Sequence, residues 1–232
     1  MNKNNRTIGI IGGMGPQASA KLLEVIIAMA STNYGAKNDL DFPEIVLSSV
    51  PVPNFISNKK NISRVSCLLK TRIKTLESFN PLCFGIACNT AHILIDELQA
   101  ETAIPFISII EEVGKRVARA KIKKVGLLGT PTTIKSGLYQ TVLEKYGIKT
   151  IIPSAKNRLI VEDVIRSILA GKINDLDRQR VTFIAESLRI QGAEGIILGC
   201  TELPLIFPKE FSIPVFDSIE ILATALLRKY YK

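Results

Sequence analysis

Two short stretches hold the residues best suited to chemistry: Ala87-Cys88-Asn89-Thr90-Ala91-His92 and Gly199-Cys200-Thr201-Glu202-Leu203-Pro204. In each, an apolar run ends at a cysteine, a hydroxyl residue follows within two positions, and the pattern then reads as a helix start. A thiol at a helix N-terminus meets unpaired backbone N–H groups and the positive end of the helix dipole. Both favour thiolate over the free value of about 8.5. Two such thiols at matching places in two halves of a chain suit one task, moving a proton from one face of a carbon to the other. A Cα proton is very weakly acidic, so a base must touch it and the developing negative charge must be stabilised. One thiolate and one thiol on opposite faces can exchange roles with the handedness of the substrate. For either cysteine alone, a buried strand-end residue is the plainer reading; the matched pair favours the reactive one.

The neighbours extend this site. Asn89 and Thr90 read as side-chain caps for the first helix. Asn89, Thr90 and Thr201 can also donate hydrogen bonds to a substrate carboxylate, beside helix N-terminal amides that suit anions. Thr130, Thr132 and Thr133 occupy the comparable loop of the second half. His92, the only histidine, lies four residues after Cys88 and so on the same helix face; it either packs and caps or orients the site. Glu202 either orients or deprotonates Cys200, or is a plain carboxylate at a helix start. Cys83, inside Leu82-Cys83-Phe84, reads as a small packed hydrophobe, and Cys67 reads the same way. With one histidine and no CxxC spacing, no zinc site is expected.

The elements that must position these residues alternate. Strands are expected at Thr7–Ile11, Glu44–Val50, Leu82–Ala87, Pro105–Ile109, Lys124–Leu128, Lys149–Ile152, Gly195–Leu198 and Pro214–Phe216, as continuous apolar runs that suit strands covered on both faces. Helical patterns lie between them, at about 16–33, 60–79, 90–101, 111–120, 132–146, 157–171, 175–191 and 218–231. Such alternation argues for an α/β fold with doubly wound parallel sheets. A weak repeat supports two pseudo-symmetric lobes: Gly9 and Gly126 are 117 positions apart in similar strands, and Cys88 and Cys200 are 112 apart. The expected division is 1–104 plus 212–232 for the first lobe, carrying Cys88, and 105–211 for the second, carrying Cys200. Ligands of such sheets bind beyond the carboxyl ends of the strands, here in the cleft between the lobes.

The chain has 232 residues, 47% hydrophobic and 22% charged, enough apolar material for a proper core. The longest apolar stretch, near Leu22 to Ala30, is broken by Glu24 and is too short for a membrane span. The N-terminal Met1-Asn2-Lys3-Asn4-Asn5-Arg6 is polar and does not read as a signal peptide. The expectation is therefore a cytoplasmic protein with no membrane partner. The net charge of +9 comes from dispersed basic residues without an interleaved aromatic stripe, so no nucleic-acid partner is expected. Gly13-Met14-Gly15-Pro16-Gln17-Ala18 matches GxGxxA between a strand and a helix. The second strand, however, ends Ser48-Ser49-Val50-Pro51 without the acid that would hold a ribose, so a dinucleotide is not expected.

Together, Gly12-Gly13-Met14-Gly15-Pro16 and the two cysteine motifs resemble the aspartate/glutamate racemases, which work without pyridoxal phosphate. The resemblance spans nearly the whole chain. It implies two pseudo-symmetric α/β domains, usually in a homodimer, and no cofactor. Cys88 and Cys200 would be the two bases, Asn89, Thr90 and Thr201 would hold the α-carboxylate, and Met14 would line the pocket. Glu202 stands where the related glutamate racemases have histidine, so the chain is similar to the aspartate-type branch. Aspartate or glutamate is then the first expected substrate. One departure bears on this. Aspartate-specific members usually carry an arginine shortly after the second strand, where this chain reads Val50-Pro51-Val52-Pro53-Asn54-Phe55-Ile56. Arg166 or Lys172 are the candidates to supply that charge, and a neutral or broader substrate is equally admissible. The competing readings are a lyase or isomerase acting on a related diacid, and a non-catalytic ligand-binding homologue.

Overall fold

The computed structural model describes residues 7–232. Strands β1 (Thr7–Gly12), β2 (Glu44–Ser49), β3 (Pro81–Ile86) and β4 (Phe106–Ile107) form one parallel sheet in the order β2-β1-β3-β4. Strands β5 (Lys124–Gly129), β6 (Lys149–Ile151), β7 (Ile196–Gly199) and β8 (Val215–Asp217) form a second in the order β6-β5-β7-β8. The orders coincide when each strand is matched to the one four places later. Gly9 and Gly126 therefore sit on equivalent strands, and Cys88 and Cys200 each follow the third strand of their own sheet. The inner strands are mostly apolar and buried, with Lys124 exposed at the start of β5, because helices cover both faces.

Strand membership departs from the division expected at 104/105 and 211/212. β4 hydrogen-bonds to β3 in the first sheet, and β8 to β7 in the second. Each half thus closes with its own fourth strand, and the exchange falls in the helices that follow. α4 (Ile109–Arg119) leaves β4 and packs on β8 and on the helix before β6, while α9 (Ser218–Tyr230) leaves β8 and packs on β3 and on α1 (Pro16–Tyr34). α4 and α9 also pack on each other. Ile109, Ile110, Val113 and Val117 form the buried stripe of α4, an amphipathic pattern whose apolar face is fixed by this crossing. One continuous apolar cluster joins residues of both lobes, among them Ile8, Leu22, Val113, Leu127 and Leu222.

Other helices follow the expected pattern: α2 (Ile62–Glu77), α7 (Ala155–Leu169) and α8 (Asp175–Ile190). Two do not. The segment 90–101 is a 3₁₀ turn over Thr90–Leu94 followed by the short α3 (Ile95–Gln99). The segment 132–146 divides into α5 (Pro131–Lys135) and α6 (Leu138–Glu144), because Gly137 takes φ +70, a left-handed conformation that ends one helix and starts the next. No helix among the described residues is long and apolar enough to cross a membrane.

Candidate active site

Cys88 leaves β3 directly into the 3₁₀ turn and is 4% exposed. Burial, then the charge of Glu202, pushes its thiol up to about 12, while the backbone N–H groups of Ala91 and Thr90 and the Thr90 hydroxyl pull the other way. The site therefore carries donors for a thiolate at Cys88, supplied by a turn rather than the expected α-helix. Asn89 caps nothing. Its Oδ1 accepts from the Tyr139 hydroxyl, and its Nδ2 donates to Ser218 Oγ at 3.0 Å, which in turn donates to the Leu198 carbonyl at 2.8 Å. A fully buried amide needs such partners, and Tyr139 and Ser218 supply them from the second half of the chain.

Cys200 follows β7 and is 5% exposed. No α-helix begins here either; a single 3₁₀ turn, Leu203–Leu205, contains Pro204. Cys200 Sγ donates to Glu202 Oε2 at 3.0 Å, the Thr201 hydroxyl donates to the same oxygen at 3.2 Å, and the Gly15 N–H donates to Oε1 at 2.8 Å. Burial and then the Glu202 charge hold the Cys200 thiol well above its ordinary range, with a further push from Cys88. Burial raises Glu202 as well. The Glu202 charge thus bears on both buried thiols, and the Thr201 hydroxyl reaches the Ala87 carbonyl at 3.5 Å, which joins the two cysteine loops. Like charges so placed cannot all ionise together.

Three threonines bring the lobes together. Thr90 Oγ1 lies 3.0 Å from Thr130 Oγ1 and 2.9 Å from Thr133 Oγ1, and Thr130 donates to Thr133 at 2.9 Å. Rotatable hydroxyls can redirect their protons toward an anion. Met14 belongs to the buried cluster that contains Cys88, Val50 and Phe55. Thr132 does something different. Its hydroxyl donates to the Phe55 carbonyl at 2.9 Å, and its N–H to the Ile56 carbonyl at 3.0 Å. It thereby clasps a strap, residues 50–57, that crosses from the first lobe to the second. Arg166, half exposed, pairs with Glu162 at 2.9 Å and donates to Ser57 on the same strap. Thr132 and Arg166 therefore hold the strap in place.

His92 is spent on position. The Ile109 N–H donates to its Nε2 at 3.1 Å, which makes that nitrogen the acceptor. The proton then sits on Nδ1 and goes to the Cys88 carbonyl, 2.8 Å away. Burial lowers the ring to about 4, so it stays neutral. It ties the backbone of Cys88 to the start of α4 and keeps no nitrogen free for substrate. Cys83 is buried in the core as expected, whereas Cys67 is exposed on α2. Among the described residues, no group of three or more His, Cys, Asp or Glu is placed to hold a metal ion.

Sequence reasoning did not identify Gly15, Phe55, Tyr139 or Ser218. Phe55 left one signal, the single aromatic in the proline-containing segment 50–57. Gly15 left another: a Cβ there would lie 2.3 Å from Leu169 Cδ2 and 2.9 Å from Glu202 Oε1, so only glycine admits the carboxylate.

Two lobes of one topology, each with a buried cysteine just after its third strand, suit the two-thiol chemistry read from the sequence. The Asp/Glu/Hydantoin racemase family model matches residues 11–226. The aspartate racemase of Picrophilus torridus, a solved structure, is 32% identical, with 98% of this chain and 95% of that one covered and a TM-score of 0.84. An aspartate racemase homologue from Pyrococcus horikoshii is 30% identical, with 98% and 100% covered and a TM-score of 0.81. A broad specificity amino-acid racemase of Bacillus subtilis is 28% identical over 227 residues, 96% of this chain and 97% of that one. The chain belongs to the Asp/Glu/hydantoin racemase family and is an amino-acid racemase, an isomerase.

Proposed function

We propose that the chain inverts the Cα centre of an amino acid by a two-base mechanism using Cys88 and Cys200, without a cofactor. One observation carries this reading: the buried residues Cys88 and Cys200, one from each lobe, lie on loops that meet, because the Thr201 hydroxyl beside Cys200 donates to the Ala87 carbonyl beside Cys88 at 3.5 Å. In the free protein both thiols are held high and stay protonated near neutral pH. A bound amino acid changes that balance, because its α-ammonium brings positive charge to a space that holds Glu202. That charge lowers the thiols and lets one ionise. Glu202, hydrogen-bonded to Cys200, is the group placed to accept the proton released. The α-carboxylate is held by the hydroxyls of Thr90, Thr130, Thr133 and Thr201 and by the N–H groups of the turn after Cys88, with Asn89 fixing that turn.

The transfer balances. A thiolate takes the Cα proton from one face and becomes a thiol; the opposing thiol gives its proton to the other face and becomes a thiolate. The opposite enantiomer runs the steps in reverse. Two matched thiols favour this over a lyase acting on a related diacid, which needs only one.

Incubation with single enantiomers in D₂O, without added cofactor, tests the reading. Deuterium at Cα with loss of optical rotation is the expected result. Release of carbon dioxide, or no exchange with any amino acid, contradicts it.

A further inference from the structure

The strap, residues 50–57, carries no charged side chain to meet an acidic substrate. Phe55 is 2% exposed and points into the cluster that holds Met14, Val50 and Cys88. Ile56 packs on the cluster that holds Cys200. The two consecutive residues therefore bridge the apolar surroundings of both sulfurs. Asn54, in the segment where the resemblance reserves an arginine for the side-chain carboxylate, is exposed. Its Oδ1 accepts the Ile56 N–H at 3.1 Å, and its carbonyl accepts from Asn61 at 2.7 Å. The Arg166 guanidinium is committed to Glu162 and Ser57 at the outer side of the strap.

The electrostatics agree. The hydrogen bonds of Cys200, Glu202 and the threonines at 90, 130, 133 and 201 run to hydroxyl, thiol, carboxylate and backbone groups, and none of these comes from a lysine or arginine. Glu202 is therefore a buried carboxylate held by neutral donors. On the reading above, the α-ammonium of an amino acid has Glu202 as its partner and the α-carboxylate has the hydroxyl and N–H donors. A second carboxylate adds a buried anion with no cation opposite, beside a carboxylate already forced up by burial, and such a charge is costly.

We infer that this site takes amino acids with uncharged, apolar side chains, and that Phe55 sets that choice. The inference rests on the two-thiol reading above. On this reading the strap presents an aromatic face, not a cation, to the substrate side chain, and Thr132 fixes the strap by holding the Phe55 and Ile56 carbonyls.

The test measures kcat/KM for racemisation of alanine, methionine, aspartate, glutamate and lysine by the full chain. Alanine or methionine should exceed aspartate and glutamate by about tenfold or more, the cost of an unpaired buried charge. Phe55→Arg should raise the aspartate-to-alanine ratio by about tenfold, whereas Phe55→Leu, which keeps an apolar face and the fold, should keep the neutral preference. Asn54→Arg, on the outer side, should leave the ratio unchanged. Aspartate, glutamate or lysine as the best substrate of the unaltered chain overturns the inference and leaves the two-thiol reading standing. A ratio that moves with Asn54→Arg but not with Phe55→Arg overturns the role of Phe55. Exchange with no amino acid defeats the two-thiol reading and this inference with it.

Discussion

Gly15 and Glu202 are 187 positions apart in the chain and joined by a hydrogen bond of 2.8 Å from the Gly15 N–H to Oε1. The bond fixes the carboxylate that accepts from Cys200 Sγ, and it links the glycine turn of the first lobe to the cysteine loop of the second. Gly15→Ala would set a methyl group 2.9 Å from that oxygen and 2.3 Å from Leu169 Cδ2. The carboxylate must then shift. We expect kcat to fall by about 100-fold, the cost of a displacement near 1 Å at a reacting centre, with the far-ultraviolet circular dichroism unchanged. Full activity in this variant would remove Glu202 placement from the account.

The Glu202 charge raises both thiols. Removing it with Glu202→Gln should therefore lower them. Ultraviolet titration of thiolate absorbance should show ionisation beginning at lower pH in the variant than in the unaltered chain. An unchanged titration would mean that burial alone holds the thiols up.

His92 makes a stability prediction with a definite sign. Its folded pKa of about 4 lies below the ordinary 6.5. Between those values the unfolded chain binds the proton and the folded one does not, so this contribution is intact above 6.5 and declines as pH falls toward 4. The shift corresponds to about 3 kcal/mol at about 1.4 kcal/mol per unit. Asp217, raised by burial to about 6, acts in the opposite sense and favours folding more as pH falls through the range from 6 to 3.8. The measurement is therefore a difference: denaturant unfolding of the unaltered chain and of His92→Gln at pH 7 and pH 4. Relative to the variant, the unaltered chain should lose about 3 kcal/mol on acidification. Parallel pH profiles would show that His92 does not resist protonation.

Thr132→Val removes the hydroxyl that holds the Phe55 carbonyl while keeping the side chain's shape. Loss of one buried hydrogen bond should cost about 1 kcal/mol in overall stability. Limited proteolysis should also cut the strap between residues 53 and 58 sooner than in the unaltered chain. Equal cleavage rates would show that the strap is held elsewhere, at Arg166 and Glu162.

The sequence was most informative where chemistry and periodicity coincide. Continuous apolar runs reveal all eight strands, and the runs that end at Cys88 and Cys200 reveal the paired site, because a buried parallel strand leaves a pattern that local reading can find. The lobe to which β4 and β8 belong is not legible in this way. A two-residue or three-residue strand fits either sheet locally, and its membership is decided by helices α4 and α9 crossing between lobes. The helix starts after the cysteines were misread for a related reason. Capping residues favour a turn of either kind, and Asn89 spends its amide on Tyr139 and Ser218, 50 and 129 positions away. His92 and Thr132 show the same limit. Their types suggest chemistry, but backbone groups, the near Cys88 carbonyl and the more distant Ile109 N–H and Phe55 carbonyl, use up the His92 ring nitrogens and the Thr132 hydroxyl.

The central claim is most directly tested by following optical rotation from each pure enantiomer with Cys88→Ser, Cys200→Ser and, as a control, Cys67→Ser on the exposed face of α2. The account predicts that each of the first two loses about 10³-fold or more of its rate in both directions, the scale of a lost acid or base, while the control keeps full activity. Racemisation at the unaltered rate in either active-site variant would contradict it.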